Sequence, residues 1–188
     1  MTRRFDAVSY VTAWSTGRRF PAIHNGIMSV VRAEIEPEDG VVLDLCSSTG
    51  LLSRQLADVG HYPVVAVEQP GPALQLGMNA GVYDELPVLP LRIARDTLGG
   101  LLAWVEERKV TTVVARRCFP ELHDALGEEF ATMAAGLVDA GVRRVVLEGR
   151  IFSARTTHSL GTASREVAAL APRWRGRAHG PFALLTAA

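Results

Sequence analysis

The sequence predicts an α/β fold: a mainly parallel sheet with helices on both of its faces. Three observations predict it. Short apolar runs, among them Val41-Val-Leu-Asp-Leu45 and Pro63-Val-Val-Ala-Val67, alternate with longer amphipathic stretches, as buried strands alternate with crossover helices. The first run ends in small residues, Cys46-Ser-Ser-Thr-Gly50, and passes at once into a helical pattern, Leu51-Leu-Ser-Arg-Gln-Leu-Ala-Asp-Val59. The second run ends in a carboxylate, Glu68.

Each element follows in order. Tyr10, Trp14, Phe20 and His24 precede the first strand; Tyr10 and Trp14 share a helix face, and packing on the sheet is the simplest account of them. A leading helix is expected over 22–34, with Ile23, Ile27, Val30 and Val31 on one side, and Pro37-Glu-Asp-Gly40 breaks it. The first strand starts at Val41, the second covers 63–67, and a helix near 71–80 starts after Pro70-Gly71-Pro72. Prolines 87 and 90 punctuate the third strand, within 86–93, and proline suits a sheet edge. Asp96 is the expected N-cap of a helix carrying Leu98, Leu101, Leu102 and Val105 at helical spacing.

The fourth strand is Val110 to Ala115. One long helix is expected after it, with Leu122, Leu126, Phe130, Met133 and Leu137 as its apolar stripe and Gly141 at its end. Arg143 to Glu148 gives the fifth strand, and a shorter helix over 162–171 stops at Pro172. The stretch from Trp174 to Thr186 reads as two strands joined at His179-Gly-Pro181.

At 188 residues the chain fits one domain that buries roughly two-thirds of its unfolded surface. Its 48% apolar and 21% charged content is that of a soluble globular protein, and zero formal net charge provides no global basic field for nucleic acid. Arginine does crowd the last third, at 143, 144, 150, 155, 165, 173, 175 and 177, opposed only by Glu148 and Glu166. That is either a solvated basic edge or a surface for an anionic partner. Cys46 and Cys118 lack metal spacing; each follows a strand, so both can line one cleft as reduced thiols. The basic start is followed by no apolar signal core, and no apolar run approaches the roughly 20 residues of a membrane span. The chain reads as cytoplasmic.

A strand, tight turn and helix in this order bring backbone N–H groups against a ligand, and the carboxylate closing the next strand suits two ribose hydroxyls. Together, residues 41–70 resemble the nucleoside-binding half of class I S-adenosylmethionine-dependent methyltransferases, and the element order extends the resemblance over nearly the whole chain. The resemblance implies a Rossmann-like, doubly wound seven-stranded sheet closed by a C-terminal antiparallel hairpin. It implies a single domain, with 1–36 as a helical segment that packs or forms a lid and 37–188 as the core. The family's first motif is an acid followed by three alternating glycines; the matching positions are Asp44, Cys46, Ser48 and Gly50, so only the last glycine remains. Asp44 would take the methionine amino group and Glu68 the ribose, with Ser47, Gln69, Asp96 (near the adenine amino group) and Arg116 completing the cofactor set. A dinucleotide site would instead carry G-x-G-x-x-G at the turn, which is missing.

Methyl transfer from a sulfonium is an in-line displacement in which positioning provides much of the catalysis, with a base added only when the acceptor needs one. The base candidates are Glu121 and His123, early in the helix after Arg116-Arg-Cys-Phe-Pro120. Neither the Asn/Asp-Pro-Pro-aromatic motif nor the Pro-Cys motif of DNA-methylating enzymes is present there. His158, after the fifth strand, sits where substrate loops project in the family. The expected reaction is methyl transfer to a small molecule or an accessible nucleic-acid group. Two alternatives stand beside it: a methyltransferase-like binding or regulatory subunit without catalysis, and another S-adenosylmethionine-using enzyme such as one that cleaves the cofactor. A homodimer or a partner-subunit assembly is compatible with each.

Overall fold

The computed structural model describes residues 6–149, 160 and 162–188. Seven strands form one sheet: β1 (Val41–Leu45), β2 (Val64–Glu68), β3 (Val88–Pro90), β4 (Val110–Arg116), β5 (Arg144–Glu148), β6 (Trp174–His179) and β7 (Phe182–Ala187). Their order is β3-β2-β1-β4-β5-β7-β6. β1 to β5 pair in parallel, and β7 runs antiparallel to both β5 and β6. The fold is therefore Rossmann-like α/β, with the expected closing hairpin. β3 lies at the edge, where its prolines leave no ladder bond unmade in the interior.

Successive strand residues point to opposite faces. Leu43, Leu45, Val113, Ala115, Val145 and Leu147 pack under α5 (Leu98–Glu107), α6 (Phe119–Leu126), α7 (Glu129–Asp139) and α8 (Ala163–Leu170). Their neighbours Val42, Val64, Val114 and Val146 pack under α2 (Asn25–Glu34) and α3 (Leu51–Asp58). The leading helix enters through a short 3-10 turn, Ala22–His24, and buries Ile27, Met28 and Val31. α1 (Ala7–Gly17) is capped by Asp6, which accepts from the Ser9 N–H at 3.3 Å. Its Val11 and Trp14 are buried against Leu51 and Val82. The aromatic segment thus packs next to α3 and α4 (Pro72–Asn79), and not on the sheet itself as expected.

Two expectations need correction. The single helix after β4 is two, because Gly127 takes φ 58° and ψ −124°, a conformation that ends α6. The apolar stripe nevertheless runs unbroken across the joint: Leu122, Leu126, Phe130, Met133 and Leu137 are all buried. Periodicity reports the buried face and is blind to the kink. The second correction concerns Asp96. It is exposed, and α5 begins after Thr97, whose hydroxyl donates to Arg92 O at 2.6 Å and accepts from Ala94 N at 2.9 Å. That local turn occupies the capping position and leaves Asp96 pointing to solvent.

No helix of the described residues is long and apolar enough to cross a membrane. Phe130 joins the two halves of the broken helix, its ring edge-on to Phe119 at 5.8 Å and 2% exposed. Phe130→Ala is expected to cost about 3–5 kcal/mol, read as a fall in the urea midpoint with an unchanged slope.

Candidate functional site

Register decides which side chains meet. Asp44 lies level with Ala66 on β2 and Val114 on β4, and Val114 lies level with Val146 on β5. Two residues further along, on the same face, stand Glu68, Arg116 and Glu148. Each ends its strand. Four ionisable groups from four strands therefore meet at the carboxyl edge, where the chain order reverses between β1 and β4 and ligands gather in open α/β sheets.

Asp44 is 1% exposed. Ser53, on the first turn of α3, donates to its Oδ2 at 2.6 Å. Burial pushes its carboxyl up from 3.8 to about 7, with the nearby Glu68 charge adding to the shift. Glu68 is also buried and its carboxyl raised by desolvation; it accepts from the Ser48 N–H at 2.6 Å and from the Gln69 N–H. Glu148, 3% exposed, accepts from Arg116 Nε at 2.9 Å through Oε2 and from Arg117 Nε at 2.7 Å through Oε1. The two guanidinium groups are thereby fixed side by side. His24, 6% exposed, has its ring nitrogen Nδ1 at 3.3 Å from Gln55 Oε1. Burial and the Arg116 charge lower it to about 4, so its imidazole is neutral at ordinary pH.

The turn between β1 and α3 takes an unusual path for its sequence. Cys46, Ser48 and Gly50 all have positive φ, at 60°, 57° and 76°. These are the three alternate positions where the family motif has glycines. The backbone thus keeps the glycine-type turn although two of the three residues carry a Cβ, at a cost of roughly 1–2 kcal/mol each. Only Gly50 has no alternative: a Cβ there would meet the Tyr83 ring at 2.5 Å. Tyr83 roofs the turn, donating to Ser48 O at 2.9 Å and lying 2.9 Å from Ser47 Oγ. Glu68 holds the turn from below and Tyr83 from above.

Two adjoining hollows open beside this turn. A small one of about 120 Å³ is lined by Pro21, His24, Asp44, Ser47, Thr49 and Leu52. A larger one of about 470 Å³ is lined by Glu68, Gln69, Leu91, Ile93, Cys118 and Glu121, with Arg92 and Arg117 at its rim. Cys46, Ser48 and Arg116 line both. Of the expected site residues, Asp44, Cys46, Ser47, Ser48, Glu68, Gln69 and Arg116 are brought together here, and Gly50 forms the turn beneath them. Glu121 borders the larger hollow. Asp96 and His123 line neither; the His123 ring packs against Phe130 at 5.2 Å. His158 lies outside the described residues, as do Arg150 and Arg155 of the basic stretch.

Sequence reading did not assign Glu148, Tyr83 or His24 to the site. Glu148 had a usable signal: an apolar strand closing on an acid, as at Glu68. His24 was grouped with the aromatics of the N-terminal segment, and Tyr83 lies in a connecting loop whose path no local pattern gives.

No family model and no curated protein matches the chain. Solved structures do match. WbdD, a bifunctional kinase-methyltransferase, is similar at a TM-score of 0.64 and 15% identity, over 93% of this chain and 42% of that one. An O-methyltransferase family protein from Burkholderia thailandensis is similar at 0.57 and 12% identity, over 96% and 58%. A protein of the NADB-Rossmann superfamily from Streptococcus agalactiae is similar at 0.57 and 15% identity, over 86% and 67%. The chain spans about two-fifths of the length of WbdD. At these identities the likeness is one of fold alone.

Burial of Asp44 makes stability depend on pH with a definite sign. Its folded value, about 7, exceeds the unfolded 3.8, so the unfolded chain releases the proton first. The contribution is complete below pH 4 and lost as pH rises through 7. Asp44→Asn should therefore be more stable than the parent at pH 8, on the order of 2–4 kcal/mol, with the difference vanishing near pH 4. Urea titrations across that range measure it. Ser48→Gly is expected to raise stability by up to about 1 kcal/mol, because relief of the left-handed strain exceeds the added chain entropy.

Proposed function

We propose that this chain is an S-adenosylmethionine-dependent methyltransferase acting on a small-molecule or accessible nucleic-acid acceptor. The observation that carries the reading is the left-handed backbone at Cys46, Ser48 and Gly50 between two buried acids. A turn that holds two non-glycine residues in the glycine conformation has retained the shape of a nucleoside-binding loop where its sequence has changed. The fold similarity to methyltransferase structures supports the same reading.

The residues present fit the cofactor. Asp44, in the small hollow, would take the amino group of the methionine end; Glu68, in the larger one, would take the ribose; Leu91 and Ile93 offer apolar walls to the adenine. When bound, S-adenosylmethionine supplies a methyl group on an electrophilic sulfonium. Cys46, Ser48 and Arg116, shared by both hollows, would border the reacting end. Arg116 is held there by Glu148. Pro21 and, from the turn at Ala22–His24 that follows it, His24 line the small hollow, where they would help to exclude water from the methionine end. Glu121, at the border of the larger hollow, stands where an acceptor proton could be accepted.

Calorimetric titration with S-adenosylhomocysteine tests this reading, and absence of binding by both it and S-adenosylmethionine overturns it. Asp44→Ala and Glu68→Ala should each weaken binding by about tenfold or more, the loss of one buried charged hydrogen bond. An ammonium group beside Asp44 favours its ionised form, so binding below pH 7 should release a proton and affinity should rise as pH approaches 7. Repeating the titration in buffers of different ionisation enthalpy measures that proton, which Asp44→Asn should abolish. Turnover of labelled cofactor with an acceptor separates an enzyme from a binding subunit, and thioether formed without acceptor indicates cofactor cleavage.

A further inference from the structure

The two cysteines of the chain lie 72 positions apart, yet both line the larger hollow of the cleft. Cys46 follows β1 and Cys118 follows β4, the neighbouring strand. The Cys118 thiol donates to Leu45 O at 3.5 Å, which places its sulfur over the peptide that leads into Cys46. Cys46 packs against the same cluster as Cys118, and both line the larger hollow. Cys46 is half-buried and Cys118 is buried. No other described residue type crowds this junction with metal ligands: no group of three His, Cys, Asp or Glu suited to a metal ion occurs among the described residues.

Position 46 adds a second observation. Its φ of 60° is a conformation that favours glycine, and the residue present bears a thiol that lines the same hollow as the chain's other cysteine. A serine or alanine would incur the same strain without placing a thiol there. We propose that Cys46 and Cys118 form a thiol pair that a low-molecular-weight disulfide oxidises to an intramolecular disulfide, closing the cleft to its nucleoside.

The chemistry balances without any further reagent. The Cys46 thiolate, the more accessible of the two, attacks one sulfur of the small disulfide; an S–S bond forms to Cys46 and one small thiolate leaves. Cys118 then attacks the Cys46 sulfur of that mixed disulfide, releasing the second small thiol. Both protein thiol protons pass to the two departing thiolates. The protein loses two hydrogens and two electrons, and the reagent gains them. The order is set by the environment: hydrogen bonding to Cys46 and burial push the Cys118 thiol well up, so it is the poorer first nucleophile and the natural resolving partner. A bridge between the turn after β1 and the segment after β4 would span the lining shared by the two hollows.

The closure, though not the bridge itself, rests on the nucleoside reading, and one experiment separates the two. The full chain is incubated with oxidised glutathione, quenched in acid, alkylated under denaturing conditions and mapped by mass spectrometry. The expected product has lost two hydrogens, carries no alkyl label and yields one peptide pair joining Cys46 to Cys118; dithiothreitol restores both labels. Cys118→Ser should stop at the glutathione adduct on Cys46, and Cys46→Gly, which keeps the turn conformation, should take up no glutathione at Cys118. Two labelled thiols, or an adduct on Cys46 that persists in the parent chain, would overturn the pair. S-adenosylhomocysteine affinity is then measured before and after oxidation, with a fall of more than about tenfold expected in the parent and no change in Cys46→Gly. A bridge that leaves this affinity unchanged overturns the closure; a bridge in a chain that never bound the nucleoside overturns the nucleoside reading and the closure with it, and leaves the thiol pair standing.

Discussion

Parallel pairing is the constraint on which the rest of this molecule depends. It forces β1, β2, β4 and β5 to end on one edge of the sheet, and their registers bring Asp44, Glu68, Arg116 and Glu148 to one face of that edge. A folded chain has reason to avoid such a gathering, because each buried charge costs several kcal/mol after relaxation. Here the cost is partly offset by pairing: Glu148 is bonded to two arginines, Glu68 to two backbone N–H groups and Asp44 to Ser53. Most of the buried polar groups among the described residues gather around this edge, while the helical layers on either side are mainly apolar. Core packing does not call for that distribution. The nucleoside site proposed above does.

The turn after β1 shows how a loop can change its sequence and keep its path. Tyr83 fills the space above Gly50, Glu68 ties down the N–H of Ser48, and Ser47 N donates to Val67 O at 3.0 Å. With the backbone fixed at these points, Cys46 and Ser48 take left-handed conformations that neither would choose alone. The strain is held by surrounding contacts, as is usual at sites that must present backbone to a ligand. Stability is lost here in favour of shape, and the raised carboxyl of Asp44 is a second instance of the same trade.

Much of this arrangement was legible in the sequence, for physical reasons that can be stated residue by residue. The runs at 41–45 and 63–67 are too short and too apolar to be anything but buried strands, and prolines 87 and 90 mark an edge. The turn was visible through its neighbours, although its conformation was not: small side chains at 46 and 48 do not announce positive φ. What escaped was non-local. Gly127 breaks a helix without breaking its apolar period. Thr97 takes the turn bonds that Asp96 was expected to provide, because its hydroxyl can reach Arg92 O and Ala94 N at once. Tyr83 and His24 reach the site from loops whose course depends on the packed whole.

The charge balance of the cleft follows from these placements. Asp44, Glu68 and Glu148 face Arg116 and Arg117, while the buried His24 is neutral. With Asp44 ionised the group carries one excess negative charge; with Asp44 protonated it is balanced. Arg116 cannot relieve this by swinging away, since Glu148 holds its Nε from the β5 side. Glu148 itself answers to both cations. Asp44, whose carboxyl burial raises to about 7, is an adjustable charge of the cleft. A ligand that brings a cation to the small hollow recruits the ionised state, and one that brings a neutral group recruits the protonated state. In a site otherwise fixed by register and pairing, that proton sets the charge of the small hollow.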